Sequence, residues 1–106
     1  MSEFIQVLTS IDSREKAEEI SRKLLEARLA ACIQIIGPIK SMYWWRGVIE
    51  SSQEWLCFIK TRVDMYKNVE EMIRSLHSYE VPEIIVLPII QGFQKYLEWM
   101  SNELKK

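Results

Sequence analysis

The 106-residue sequence has one histidine and two cysteines, and neither charge is in clear excess: 14 basic side chains face 15 acidic ones, for a net charge of -1. A lone histidine confines any Ser-His-Asp or Cys-His system to His77, and no residue around it is marked as its nucleophile. Cys32 and Cys57 are too few for a disulfide scaffold, so free thiols in a reducing compartment are expected. Balanced charge leaves no electrostatic footprint for nucleic acid or an anionic membrane. The opening MSEFIQVLTSIDSREK carries Glu3 and lacks the basic and apolar regions of a signal peptide, and no apolar run approaches about 18 residues. Repeats, linkers and low-complexity stretches are missing. So are a Gly-rich phosphate loop, a nucleophile elbow, paired helical histidines and a cysteine redox pair. The expectation is a single cytosolic domain over residues 1–106, without the machinery of an enzyme.

What is present reads as alternating strands and helices. EFIQVLTS puts Phe4, Gln6 and Leu8 on one face and Ile5 and Val7 on the other, which predicts a mostly buried strand. IDSREKAEEISRKLLEARLA pairs Asp12 with Glu15 as a capping box and repeats Ala17, Ile20, Leu24 and Ala27 at helical spacing. ACIQIIGPIKSMYWW is a strand broken at Gly37-Pro38, a bulge or edge signal, and Arg46-Gly47 turns it into the alternating VIESSQEWLCFIKT. A second helix is expected from an Asp64 cap through Tyr66, Val69, Ile73 and Leu76. EIIVLPIIQG follows as a strand, and GFQKYLEWMSNEL closes as a helix with Phe93, Leu97, Met100 and Leu104 in register.

The order β-α-β-β-α-β-α predicts an α+β fold of the ferredoxin-like split β-α-β type. Four antiparallel strands carry both main helices on one face. The other face is left uncovered, and the strands are apolar on both sides. Burial against other subunits is therefore expected, with Tyr43, Trp44, Trp45 and Trp55 as interface residues and Trp99 adding to the aromatic density.

Several spaced motifs then align with a known pattern: LAACIQI at Leu29 to Ile35, SMYWWRGVIE at Ser41 to Glu50, FIKT at Phe58 to Thr61, HSYEVPEIIVLPI at His77 to Ile89, and YLEW near the end. Together they resemble the CutA family of divalent-cation tolerance proteins over essentially the whole chain, with Ser78 standing where the family usually has proline. The resemblance implies a ferredoxin-like fold and a tight homotrimer related in architecture to PII-like signalling proteins. It also implies a link to copper and other divalent metals, and no established reaction.

His77, Cys32, Glu80 and Glu83 are the candidate metal donors. Sulfur with imidazole nitrogen favours copper or zinc over magnesium or calcium. Cys32 matches the family's AAC motif, whereas Cys57 on an alternating apolar run reads as core. A turn at Arg46-Gly47 sets Trp45 against Val48, hence Cys57 opposite Ile36 and Cys32 opposite Thr61. That separates the thiols by about 13 Å, too far for a shared metal or a disulfide. His77 has two readings, a cap on the last helical carbonyls or a weak soft-metal ligand at a subunit cleft beside Tyr79, Glu80 and Glu83. Glu54 and Lys60 share a sheet face and could line that cleft, or be ordinary polar strand positions or a subunit-contact ion pair. Besides metal binding, the open function classes are a PII-like sensor of a small anionic ligand, for which Lys60 and His77 speak, and a scaffold for a protein partner.

Overall fold

In the computed structural model, which describes residues 3–106, FIQVLTSI forms β1 (Phe4–Ile11). Its alternation puts Ile5, Val7, Thr9 and Ile11 in the core. Helix α1 (Arg14–Glu26) starts one residue later than the expected capping box requires. Ser13, not Asp12, is its cap, the hydroxyl accepting from the Lys16 amide at 3.1 Å. Ala17, Ile20, Ser21 and Leu24 form the buried stripe. β2 (Cys32–Trp45) and β3 (Val48–Arg62) are joined by Arg46 (φ 52°) and Gly47 (φ 81°). Two successive left-handed residues make the primed turn whose twist suits a tight hairpin.

A 3-10 turn at Val63–Met65 leads into α2 (Tyr66–Leu76), which has no side-chain cap. Asp64, the expected cap, instead accepts from Arg62 at 3.0 and 3.3 Å. β4 (Ile84–Ile89) and α3 (Gln94–Glu103) complete the chain. The sheet order is β2-β3-β1-β4, antiparallel throughout. Both main helices bury their apolar stripes on one face, in a core that includes Val7, Ile20, Leu24, Ile59, Val69 and Ile73. β4 is an edge strand, which is why Pro88 fits within it.

The hairpin register corrects the expected one. From Trp45↔Val48 to Ile39↔Glu54 the pairing runs as predicted, but beyond the bulge it resumes at Ile36↔Leu56. Cys57 therefore lies opposite Ile35 and Cys32 opposite Lys60, each one position from expectation. The cysteines are three residues apart in register, and an odd offset places them on opposite faces. Cys57 is buried in the helix-side core and Cys32 lies on the other face, half-buried. Trp55, expected at a subunit interface, packs against the chain's own core, with its ring over the bulge. A Cβ at Gly37 would stand 2.3 Å from Trp55 Cδ1, so only glycine admits the ring.

The second face is partly covered. α3 crosses one end of it, burying Met100 and Leu104, and Arg62 Nη1 donates to Ser101 Oγ at 3.1 Å. Phe93 is not in the buried register; it precedes the helix and is 74% exposed. Ile85 and Leu87 on β4 remain open, and Trp44 near the hairpin tip is 72% exposed.

Two core positions yield opposite expectations. Thr9 Oγ1 is fully buried and has no hydrogen-bond partner among the described residues, so Thr9→Val should raise stability by about 1 kcal/mol by removing an unsatisfied hydroxyl. Gly37→Ala should lower it by about 1–3 kcal/mol because Trp55 must move. Urea unfolding of the two variants beside the parent checks both signs.

Candidate functional site

The segment from His77 to Glu83 runs from the end of α2 to the start of β4, at one end of the sheet. Its anchor is His77. The backbone amide closes α2 on the Ile73 carbonyl at 2.8 Å, while ring Nε2 lies 2.8 Å from the Ser10 carbonyl and Nδ1 accepts from the Tyr79 amide at 3.1 Å. A carbonyl only accepts and an amide only donates, so this pairing requires the neutral ring with its proton on Nε2. The Tyr79 ring packs beside it, centroids 4.7 Å apart. The imidazole thus ties helix end, first strand and loop together. In this arrangement neither ring nitrogen is free for a metal or for the last helical carbonyls.

Held in this way, Tyr79 donates its hydroxyl to Glu54 Oε2 at 2.6 Å. Burial, reinforced by the Glu54 carboxylate and by Asp12, pushes the Tyr79 phenol far above its usual range. Ser10, whose carbonyl meets His77, donates its hydroxyl to Glu83 at 3.3 Å. Opposite this loop rises the hairpin arm, where Tyr43 donates to Ser52 Oγ at 3.2 Å and the Arg46 guanidinium sits 5.5 Å from the Trp45 ring centre. Between loop and arm opens a cleft of about 890 Å³. Glu50, Glu54, Glu80 and Glu83 line it with Tyr43, Trp44 and Trp45, and among the described residues no lysine or arginine does.

Part of the expected constellation is therefore gathered in one place. Tyr79, Glu80, Glu83 and Glu54 share the cleft, with His77 bracing it from beneath. Lys60 and Cys32 are elsewhere. They pair across β2 and β3 near α3, six residues along β3 from Glu54, or about 20 Å. There Lys60 Nζ donates to Gln34 Oε1 at 2.8 Å and lies 5.9 Å from the Tyr96 ring centre. Burial, then a hydrogen bond with Cys32, raises the Tyr96 phenol. Among the described residues no three His, Cys, Asp or Glu side chains converge as a metal centre requires. Six lining residues lie outside the expected set: Ser10, Ser41, Met42, Glu50, Val81 and Pro82. Glu50 repeats Glu54 at strand period on the same face, a readable signal, whereas Ser10 is recruited through its position opposite Leu56 and gives none.

A model of the CutA1 divalent ion tolerance protein family matches residues 5–103. The chain is 38% identical over 105 residues to the divalent-cation tolerance protein CutA of Archaeoglobus fulgidus, covering 99% of this chain and 100% of that one. It is 38% identical over 101 residues to a chloroplastic CutA protein of Arabidopsis thaliana, where 95% of this chain spans only 56% of the relative's length. The crystal structure of CutA1 from Oryza sativa superposes with a TM-score of 0.96 at 35% identity, covering 99% of this chain and 96% of that one.

The Tyr79 phenol gives a pH dependence of definite sign. Below about pH 10 both folded and unfolded chains keep the proton and the bond to Glu54 contributes fully. Above that, the unfolded chain releases a proton that the folded chain retains, so stability falls as pH rises. Tyr79→Phe should cost about 1 kcal/mol at neutral pH and show a shallower decline on the alkaline side in urea unfolding.

Proposed function

The chain belongs to the CutA1 divalent ion tolerance family, and from that premise we propose that it serves divalent-cation tolerance by binding, with no catalytic step, as a cytosolic homotrimer whose carboxylate cleft collects copper or other divalent ions. The observation that carries this reading is the lining of the cleft: four carboxylates and no basic side chain. Such a surface concentrates cations. Because the carboxylates do not converge in threes, the ion is held weakly and keeps much of its water. Glu80 and Glu83 on the loop, with Glu50 and Glu54 on the arm, are the residues that would hold it. Their oxygen donors suit hard ions and Cu(II) better than Cu(I), since the Cys32 thiol lies at the far end of the sheet. The chain's only histidine is committed to backbone partners, which supports a binding role over acid-base chemistry.

The trimer is supported by the apolar surface left open. Met42, Tyr43, Trp44, Trp45, Val48 and Ile49 on the arm are exposed, as are Ile85, Val86 and Leu87 on β4. Monomers seldom leave more than a few hundred Å² of contiguous apolar area in water. Two free thiols accord with a reducing, cytosolic setting. The PII-like reading with an anionic ligand draws no support from the cleft, because the ammonium it relied on, Lys60, lies outside it.

Isothermal titration with Mn2+ and Cu2+ tests the cation reading. Binding should weaken about tenfold in the Glu80→Gln/Glu83→Gln variant, roughly 1.4 kcal/mol, and persist in Cys32→Ser. Retained affinity in the first or its loss in the second would move the site. Sedimentation should show three associated chains of 12.6 kDa, and a single-chain species at micromolar concentration would refute the assembly.

A further inference from the structure

On the second face of the sheet Cys32, Lys60, Gln6 and Leu87 stand in one row across the four strands, and Gln34, Phe58, Leu8 and Ile85 stand in the next. Lys60 is the only charged residue in either row. Its ammonium donates to the neutral Gln34 amide at 2.8 Å and lies 5.9 Å from the Tyr96 ring centre, and among the described residues no carboxylate pairs with it. Arg62, next along the same face, is already held by Asp64 at 3.0 Å and Ser101 at 3.1 Å. Ile85 and Leu87 beside Lys60 are exposed, so a chain that covers these residues takes the ammonium out of water with them. A covered ammonium requires an anion.

The complementary charge lies at the other end of the same face. Glu54 is the one buried acidic side chain among the described residues, at 5% exposure, and it accepts from Tyr79 while no cation pairs with it. Six residues along β3, about 20 Å, separate it from Lys60, so the two cannot meet within one chain. A face with a basic end and an acidic end is complementary to a second copy laid head to tail, and contacts of that kind close into rings.

We propose that Glu54 of each subunit pairs with Lys60 of the partner subunit, so that the acidic end of the sheet is completed by the next copy of the chain. The ammonium supplies the counter-charge that Glu54 lacks, and the carboxylate gives Lys60 a charged acceptor in place of a neutral amide. Apolar neighbours on both sides, Ile85 and Leu87 around Lys60 and Tyr43 and Trp45 near Glu54, keep water from the pair and set it apart from an exposed bridge. Because the pair forms only one way round, it fixes the direction in which copies follow one another. The contact rests on the assembly reading and leaves Glu50, Glu80 and Glu83 to the cations.

The test is a double-mutant cycle on dissociation of the assembly, read by sedimentation equilibrium of the full chain over a dilution series in moderate urea. Lys60→Met keeps the apolar stem, and Glu54→Gln keeps an acceptor for Tyr79. Each should raise the dissociation constant at least tenfold, and the double variant should be no more than about threefold worse than the weaker single one. Lys67→Met on the exposed side of α2 should change nothing. Single effects that multiply in the double variant would mean that the two residues act apart, and would overturn the pairing. Unchanged dissociation in Lys60→Met, a half-buried surface position where folding is not at stake, overturns it without reference to Glu54. A parent chain that sediments singly at micromolar concentration sinks the assembly reading together with this contact, whereas an assembled parent with independent variants sinks the contact alone.

Discussion

The one-residue excess of β2 over β3 at Gly37 and Pro38 decides which side chains share a face along the hairpin, because strand side chains alternate and a slip of one reverses them. On the sheet side of the bulge, β2 faces the core with Ile33 and Ile35 and turns Cys32 away. On the arm side the strand is offset, and its aromatic residues stand over the acidic end of the sheet. The bulge survives because Trp55 packs directly over a residue with no Cβ. The offset between arm and sheet is thus set at this glycine-tryptophan contact, while the arm itself is held by its own pairing from Ile39↔Glu54 to Trp45↔Val48.

The opposite wall depends on one imidazole. His77 joins three elements through two hydrogen bonds of opposite polarity, and Ser10 shares itself between that ring and Glu83. Tyr79 is thereby aimed at Glu54, and the loop from His77 to Glu83 becomes a defined surface. Both ring nitrogens are committed to backbone partners, so in this arrangement the imidazole acts as the brace behind the carboxylates.

Family membership and the cleft converge on cations by different routes. The relatives carry divalent-cation tolerance in their names, whereas the cleft carries four carboxylates and no basic lining. The soft donors that a sequence reading pairs with copper are split between the two ends of the sheet, so the chemistry available within one chain is that of oxygen.

Periodicity alone determined the element order, the split β-α-β architecture, the hairpin turn at Arg46-Gly47 and the buried roles of Cys57, Ile20, Leu24, Val69 and Ile73, since a period of two or 3.6 dictates which residues leave water together. Motif spacing identified the family. The acidic end, with Tyr79, Glu80 and Glu83, was legible because three of its members are near neighbours in the chain. Helix caps are less legible: Ser13 caps α1 in place of Asp12 and Asp64 pairs with Arg62 in place of capping α2, because several nearby polar side chains compete for each role and tertiary geometry chooses. The tertiary structure alone decided that Lys60 and Cys32 lie at the other end of the sheet from Glu54, that Trp55 packs on the core beside the bulge, that Ser10 joins His77 and Glu83, and that Glu54 is buried against Tyr79. Each of these depends on the register across strands far apart in sequence, and a bulge that shifts the register by one residue leaves the local pattern of alternation unchanged.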